Sequence, residues 1–267
     1  MLKKRLIFTL LYNEGKFALS RNFRLQNVGD INWLLTNYNF KNISFYVDEL
    51  VILNVTKNKN YEDNFCDVIS ILNLNTFVPI SAGGGIRTLD YANKILKSGA
   101  DRIIINTVLF SNLDIVKSLS ENFGAQCIVG SVDLKIKDNL FKIYTNGGNT
   151  LSELDPTIFL KELCTKNIGE LYMNSIDHDG TGNGYNFKML EIIPADFKLP
   201  IIIAGGVGHD KHLIEGLRNP IVNAAATAHL FNFVGDGLKR ARKNILLNNI
   251  NLASWPDIEE VTLKNIP

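Results

Sequence analysis

The chain has 267 residues, 46% hydrophobic and 21% charged, which excludes a disordered tail, a collagen-like chain and a coiled coil. Its 28 Lys and Arg nearly cancel 27 Asp and Glu, leaving a net charge of +1 and none of the basic excess of a dedicated nucleic-acid binder. Cys66, Cys127 and Cys164 are far apart with no CxxC pair, and the histidines lack metal-ligand spacing, so no disulfide framework, metal site or cofactor is expected.

The N-terminal apolar run 6–12 is short and meets Asn13-Glu14-Gly15-Lys16 rather than a small-residue cleavage site, so it reads as a strand and not a signal peptide. No run approaches the ~18–20 apolar residues of a membrane span, and a cytoplasmic protein without membrane association is expected. Along the chain the strand candidates are 5–11, 49–55, 78–82, 102–107, 126–133, 170–175, 200–205 and 223–228. Amphipathic helical patterns intervene, among them 90–99, 113–124, 155–167 and 209–219. The strands are continuous apolar runs, as when both faces are buried, and strands alternating with helices build a parallel sheet. Eight such units match an α/β fold, a (β/α)8 or TIM barrel, occupying residues 1–267 as one domain without a linker. Residues 135–150 read as a polar hairpin inserted after the fifth strand, and the stretch after Asn249 as a surface tail.

The chain also repeats itself. DELVILN (48–54) aligns with GELYMNS (169–175), VPISAGGGIR (78–87) with LPIIIAGGVG (199–208), and RIIINTVLF (102–110) with NAAATAHLF (223–231), each at an offset of 121. Two half-barrels follow, about 1–124 and 125–250. Chemistry in this fold gathers at the carboxyl ends of the strands. There the fifth strand ends at Asp133 while its counterpart in the first is Leu11, so one half presents a carboxylate and the other an aliphatic chain.

Gly83-Gly84-Gly85 and Gly205-Gly206 follow the third and seventh strands, each before a predicted helix. Such turns let backbone N–H groups and a helix N-terminus face an anion, although a glycine turn can exist for its geometry alone. Their symmetry, with the strand ends Asn106-Thr107 and Thr227-Ala228, points to a phosphorylated small molecule with a phosphate at each end. The loop 174–185 packs Asp177, His178, Asp179, Gly180 and Thr181, which suits substrate hydroxyls or phosphate, or else an ordinary turn. Arg5, Glu49, Arg102 and Glu170 begin four strands and point at the amino-terminal opening, either closing a ring of ion pairs or standing as scattered solvated charges.

The words DELVILNV, VPISAGGGIR, GADRIIINT, FGAQCIVGSVD, IYTNGG, NSIDHDGTGNGY and IIIAGGVG, with MLKKR and Gly15 at the start, together resemble the cyclase subunit of imidazole glycerol phosphate synthase over nearly the whole chain. That resemblance implies a barrel with a glutaminase subunit on its bottom face, forming a heterodimer. Ammonia would cross the barrel core to the top and close an imidazole ring on a phosphoribosyl substrate. It further implies a catalytic Asp133 and a phosphate and substrate site including Gly84, Gly85, Asn106, Thr107, Asp179, Gly180, Gly205 and Gly206. It makes Arg5, Glu49, Arg102 (lysine in the family) and Glu170 an ammonia gate, and Asp101 part of the partner interface.

Other positions depart from the family. Leu11 replaces the second acid–base carboxylate, Leu19 a flexible-loop lysine, Asn54 an aspartate, Asn174 a threonine and His229 a serine. Positioned proton-transfer groups contribute typically ~10²–10⁴-fold, and a leucine transfers none. The words LLYNEGKFALSRNFRLQNVGD and ATAHLFNFVGDGLKRARK resemble a divergent branch that accompanies surface-glycan amidotransferases. Those systems turn an acylamino sugar into an amidino sugar with ammonia, which implies an ATP-dependent sugar amidotransferase as a further partner. The alternatives are a true cyclase, a lyase of histidine biosynthesis, and a related phosphosugar isomerase or scaffolding barrel.

Overall fold

A computed structural model describes residues 3–38, 40–57, 61–229 and 231–253. The first half runs β1 (Arg5–Asn13), β2 (Lys16–Arg21), β3 (Arg24–Gly29), α1 (Ile31–Asn37), α2 (Phe40–Ile43), β4 (Glu49–Asn54), α3 (Glu62–Asn75), β5 (Ile80–Gly83), α4 (Leu89–Lys97), β6 (Arg102–Ile105), α5 (Val108–Ser111) and α6 (Leu113–Phe123). The second half runs β7 (Ile128–Lys137), β8 (Leu140–Thr145), β9 (Thr150–Leu151), α7 (Pro156–Leu163), β10 (Glu170–Ser175), β11 (Ile201–Ala204), α8 (Asp210–Arg218), β12 (Ala224–Thr227) and α9 (Gly237–Leu247). Strands β1, β4, β5, β6, β7, β10, β11 and β12 pair in parallel in that order, and β12 returns to β1. The sheet is therefore the closed (β/α)8 barrel that the alternation of runs predicts, with a 3-10 segment, Phe187–Ile192, standing between β10 and β11.

Successive residues of a strand face opposite ways, and here both faces are buried. On β1, Leu6, Phe8 and Leu10 pack outward beneath the helices, while Ile7 joins Val51, Ile104, Val129 and Ile202 inside the barrel. Full burial of each such side chain stabilises by ~1.5–3 kcal/mol relative to exposure. Local signals set the helix starts: Thr88 accepts the Tyr91 N–H ahead of α4, and Asp155 accepts the Ile158 N–H beside Pro156 at the start of α7.

Three structural details differ from or add to the sequence reading. The hairpin after the fifth barrel strand is present as β7–β8, but the sequence reading lacks the antiparallel run β1–β2–β3, whose outer hairpin is β2–β3. Its turn is Asn22-Phe23 with φ of 51° and 63°, the two-positive-φ turn that hairpins favour, built without the glycine that normally signals it. The third repeat is also displaced by one residue. Asp101 and Asn223 perform the same task, their side chains accepting the N–H of Ile80 (2.8 Å) and Ile201 (2.9 Å), so the equivalence there is 122 and not 121. A one-residue slip inverts which side chains face inward, so this correction pairs Arg102 with Ala224. Of the predicted tail, Leu252 is buried and bridges to Lys4, and residues 254–267 lie outside the described residues.

The amino-terminal opening of the barrel is closed by charge. Arg5 donates through Nη1 to Glu49 Oε2 (2.9 Å) and through Nη2 to Glu170. Arg102 donates through Nη1 to Glu170 Oε2 (2.6 Å) and through Nη2 to Glu49. Ser81 Oγ donates to Glu49 Oε1 (2.6 Å) and accepts from Arg102 Nε (3.0 Å). The four charges thus alternate around one ring instead of scattering into solvent. Burial would depress the Arg102 guanidinium, but Glu49 and Glu170 outweigh it and its pKa rises. Removing one member leaves buried ions uncompensated, at ~3–5 kcal/mol. Glu49→Ala should therefore lower the urea midpoint by a corresponding amount, and Glu49→Gln, which keeps an acceptor for Ser81, should lower it less. A wild-type midpoint for the alanine variant would show that the ring does not support the fold.

Candidate functional site

The opposite, carboxyl-terminal end of the barrel opens into a cavity of about 820 Å³. Gly84 and Gly85 border it after β5, Asn106 and Thr107 after β6, and Gly205 and Gly206 after β11. Gly84 is at φ 107°, and a Cβ there would lie 2.0 Å from the Asn54 carbonyl, so the turn admits no side chain. The glycines do not open helices as expected. α4 starts only at Leu89, with Thr88 already capping its first turn, and α8 starts at Asp210. An anion at these two glycine turns meets loop N–H groups and not the start of α4 or α8; the short α5 begins beside the cavity, after Thr107.

Asp133 sits on the cavity wall, buried, with Asn106 Nδ2 donating to Oδ2 at 2.9 Å and Asn174 Nδ2 to Oδ1 at 3.4 Å. Burial pushes its pKa up to about 7; the two amide donors pull the other way and Asp179 adds repulsion. A carboxyl that ionises near neutrality can both give and take a proton. Leu11, Leu19 and Leu53 line the same cavity. Leu11 corresponds to Asp133 and Leu53 to Asn174 in the repeat, so at these two pairs of positions the second half supplies a polar group and the first a hydrocarbon side chain.

Asp179 and Gly180 also border the cavity, but their polar groups hold the β2–β3 hairpin. Asp179 Oδ2 accepts the Ser20 hydroxyl and the Phe23 N–H (3.0 Å). Asn22 donates its N–H to the Asp179 carbonyl (2.9 Å) and its amide to the carbonyls of Ile176 (3.0 Å) and Asp177 (2.9 Å). At Gly180, φ is 66° and a Cβ would lie 1.9 Å from the Ser20 carbonyl. The hairpin tip is thus fastened across the mouth and brings Arg21 and Arg24 to the cavity edge, where Lys57 and Arg87 join them. None of these four exposed cations has an ion pair among the described residues.

The remaining predicted positions separate. Thr107 accepts the Asn146 N–H (3.4 Å) at the rim. Thr181 is not on the cavity: its hydroxyl donates to the His178 carbonyl (2.8 Å) and accepts the Asn183 N–H (3.3 Å), which makes it the turn residue of the plainer reading. Asp101 is exposed near the ring end, with one oxygen holding Ile80. The sequence reading missed Thr9 and Tyr172, whose hydroxyls meet at 3.2 Å inside the barrel, and the four mouth cations. The inward parity of 5, 7, 9, 11 and of 170, 172, 174 identifies the first two; the cations depend on the unanticipated hairpin and its neighbouring loops. Among the described residues no cluster of His, Cys, Asp or Glu could hold a metal ion, and no helix is long and apolar enough to cross a membrane.

A closed barrel with a cavity at the carboxyl ends of its strands defines the class: a TIM-barrel protein with its candidate site in the usual place. A protein family described as "Histidine biosynthesis protein" matches residues 24–235. A putative imidazole glycerol phosphate synthase subunit hisF2 of Parasynechococcus marenigrum is 40% identical over 96% of both chains. Imidazole glycerol phosphate synthase subunits HisF of Bacillus cereus (91% of this chain, 97% of theirs) and Methanococcus vannielii (94% and 98%) are each 33% identical. The chain belongs to the HisF family of imidazole glycerol phosphate synthase subunits.

The raised Asp133 pKa makes a stability prediction. A carboxyl whose folded pKa exceeds its unfolded value, near ~4, favours folding below that pH and loses this advantage as pH rises through about 7. Relative to the parent, Asp133→Asn should gain up to about 4 kcal/mol on going from pH 4 to pH 8. Urea unfolding at both pH values measures this; a mutant–parent difference independent of pH would place the carboxyl in an ordinary environment.

Proposed function

We propose that this chain is the ammonia-receiving barrel of a glutamine-dependent amidotransferase. A glutaminase subunit docks on the ring end, and ammonia crosses to the mouth for amidination of a surface-glycan sugar, with an ATP-dependent sugar amidotransferase as the further partner. The observation that carries this reading is the leucine at the repeat position equivalent to Asp133: Leu11 lines the same cavity with Leu19 and Leu53, so ring-closing chemistry that needs a proton-transfer group in each half lacks one of them. Asp179, the other carboxylate on the wall, accepts the Ser20 hydroxyl and the Phe23 N–H through Oδ2 and fastens the hairpin.

Several features support a partner at the bottom. The relatives are named as subunits. Leu74 at the end of α3, Phe77 before β5 and Ile221 before β12 are 84%, 59% and 44% exposed on that side, apolar surface of the kind protein partners cover. The Arg5–Glu49–Arg102–Glu170 ring of ion pairs at that end suits a gate on the path of ammonia. At the other end, glycine turns and cations without an ion pair among the described residues suit a phosphorylated small molecule. The second reading is a true imidazole glycerol phosphate synthase cyclase of histidine biosynthesis; family membership and an Asp133 ionising near neutrality favour it.

Imidazole formation from the phosphoribosyl substrate with excess ammonium separates the two. Loss of one proton-transfer group predicts a rate at least ~10²-fold below an ordinary enzyme turnover. Leu11→Asp should not restore it fully, because Leu19 and Asn54 also depart from the family. Turnover near ~1–10 s⁻¹ by the unmodified chain would establish the cyclase reading instead.

A further inference from the structure

Strand β10 turns Glu170, Tyr172 and Asn174 to the barrel interior, so one strand face runs from the charged ring to the amide that donates to Asp133. Tyr172 is the middle residue of the three and is buried. Its side chain reaches from β10 to β1, where its hydroxyl meets that of Thr9 at 3.2 Å. Strands β11 and β12 lie between those two in the sheet. They contribute Ala204, Ala224 and Ala226 to the cluster around Tyr172, small side chains that leave room for its ring.

This pair of hydroxyls divides the interior. Toward the ring, Ile7, Val51, Val129 and Ile202 are apolar and do not border the mouth cavity. Toward the mouth, Thr9, Tyr172 and Ser131 line that cavity with Asp133; Ser131 is the register neighbour of Tyr172 on β7. An ammonium ion cannot enter the apolar layer without losing its hydration, at a cost far above that of a neutral polar molecule. What crosses is therefore neutral ammonia, and the first side chains it can hydrogen-bond beyond the layer are Thr9 and Tyr172. One proton of the two hydroxyls is used between them; the other has no acceptor among the described residues. Burial raises the Tyr172 pKa, so the phenol stays un-ionised in neutral and mildly alkaline solution.

We propose, on the reading of this barrel as ammonia-receiving, that Tyr172 and Thr9 form a binding station for neutral ammonia between the charged ring and Asp133. The spare hydroxyl proton is donated to the ammonia nitrogen, and a hydroxyl oxygen accepts one of its N–H groups. A phenol and an alcohol are both too weakly acidic to protonate ammonia here, so it reaches Ser131 and Asp133 with its lone pair intact and still a nucleophile. Leucine or valine at either position would leave the passage without a polar contact at that depth.

The test uses the whole chain with tyrosine labelled by 13C at Cζ, and ammonium chloride as the probe. The Tyr172 resonance, assigned by its loss in Tyr172→Phe, should move on titration at pH 9, where part of the probe is neutral ammonia. It should stay still at pH 6, and with sodium chloride at either pH. Thr9→Val replaces a hydroxyl by a methyl group of similar size and should weaken the response about two- to tenfold, the worth of one neutral hydrogen bond. Thr9→Ser should recover most of that loss. A Tyr172 resonance that ignores ammonium chloride at pH 9, or an equal response in Thr9→Val, would overturn the station while leaving the ammonia-receiving reading intact. In the complex with the glutaminase, glutamine should move the same resonance even when external ammonia is consumed by glutamate dehydrogenase, 2-oxoglutarate and NADH. A response to ammonium chloride but none to glutamine would uphold the station and overturn the passage of ammonia from the ring end.

Discussion

Every inward-facing position of a closed eight-stranded barrel must be packed, paired or open to a mouth, because water does not reach the middle. This one constraint orders the molecule along its axis. At the amino-terminal end, Arg5, Glu49, Arg102 and Glu170 meet it by pairing, each charge touching two of opposite sign. In the middle, Ile7, Val51, Ile104, Val129 and Ile202 meet it by packing. Tyr172 belongs to the same cluster as the small residues Ala204, Ala224 and Ala226, and its hydroxyl meets Thr9. At the carboxyl-terminal end Asp133 has only two amide donors and no cation, and the unmet part of the constraint appears as its raised pKa.

That ordering explains what could be read in the chain alone. Runs such as RIII and IIIA are apolar throughout because both faces are buried, so strands, their order and the barrel were legible. Charges at strand starts have a fixed direction, so four of them, on barrel strands one, two, four and six, admitted a ring, although only coordinates distinguish a ring from dispersed charges. The repeat was legible to within one residue. Period two makes that residue matter, since Asp101 matches Asn223 and not its neighbour.

The mouth was less legible, because its residues depend on turns and on contacts distant in sequence. The Asn22-Phe23 turn carries positive φ on a phenylalanine, which composition does not announce. Without that hairpin, Asp179 looks like a ligand-binding carboxylate; with it, the side chain anchors Ser20 and Phe23. Thr181 suffered the same ambiguity and resolved as a turn residue. Residue type told which groups were polar, but not whether a neighbour had already used them.

On the proposed reading, the two ends of the barrel carry different amounts of the family's chemistry. The ring end keeps four paired charges, an exposed aspartate and apolar surface around it; the mouth keeps its glycine turns but has leucine where a second proton-transfer group would stand. An ammonia-receiving role requires a partner on the ring end above all. Light scattering during size-exclusion chromatography of the chain co-expressed with a glutaminase from the same genome measures this directly. The account predicts one species with the mass of a 1:1 complex, and two separately eluting monomers at micromolar concentration would contradict it.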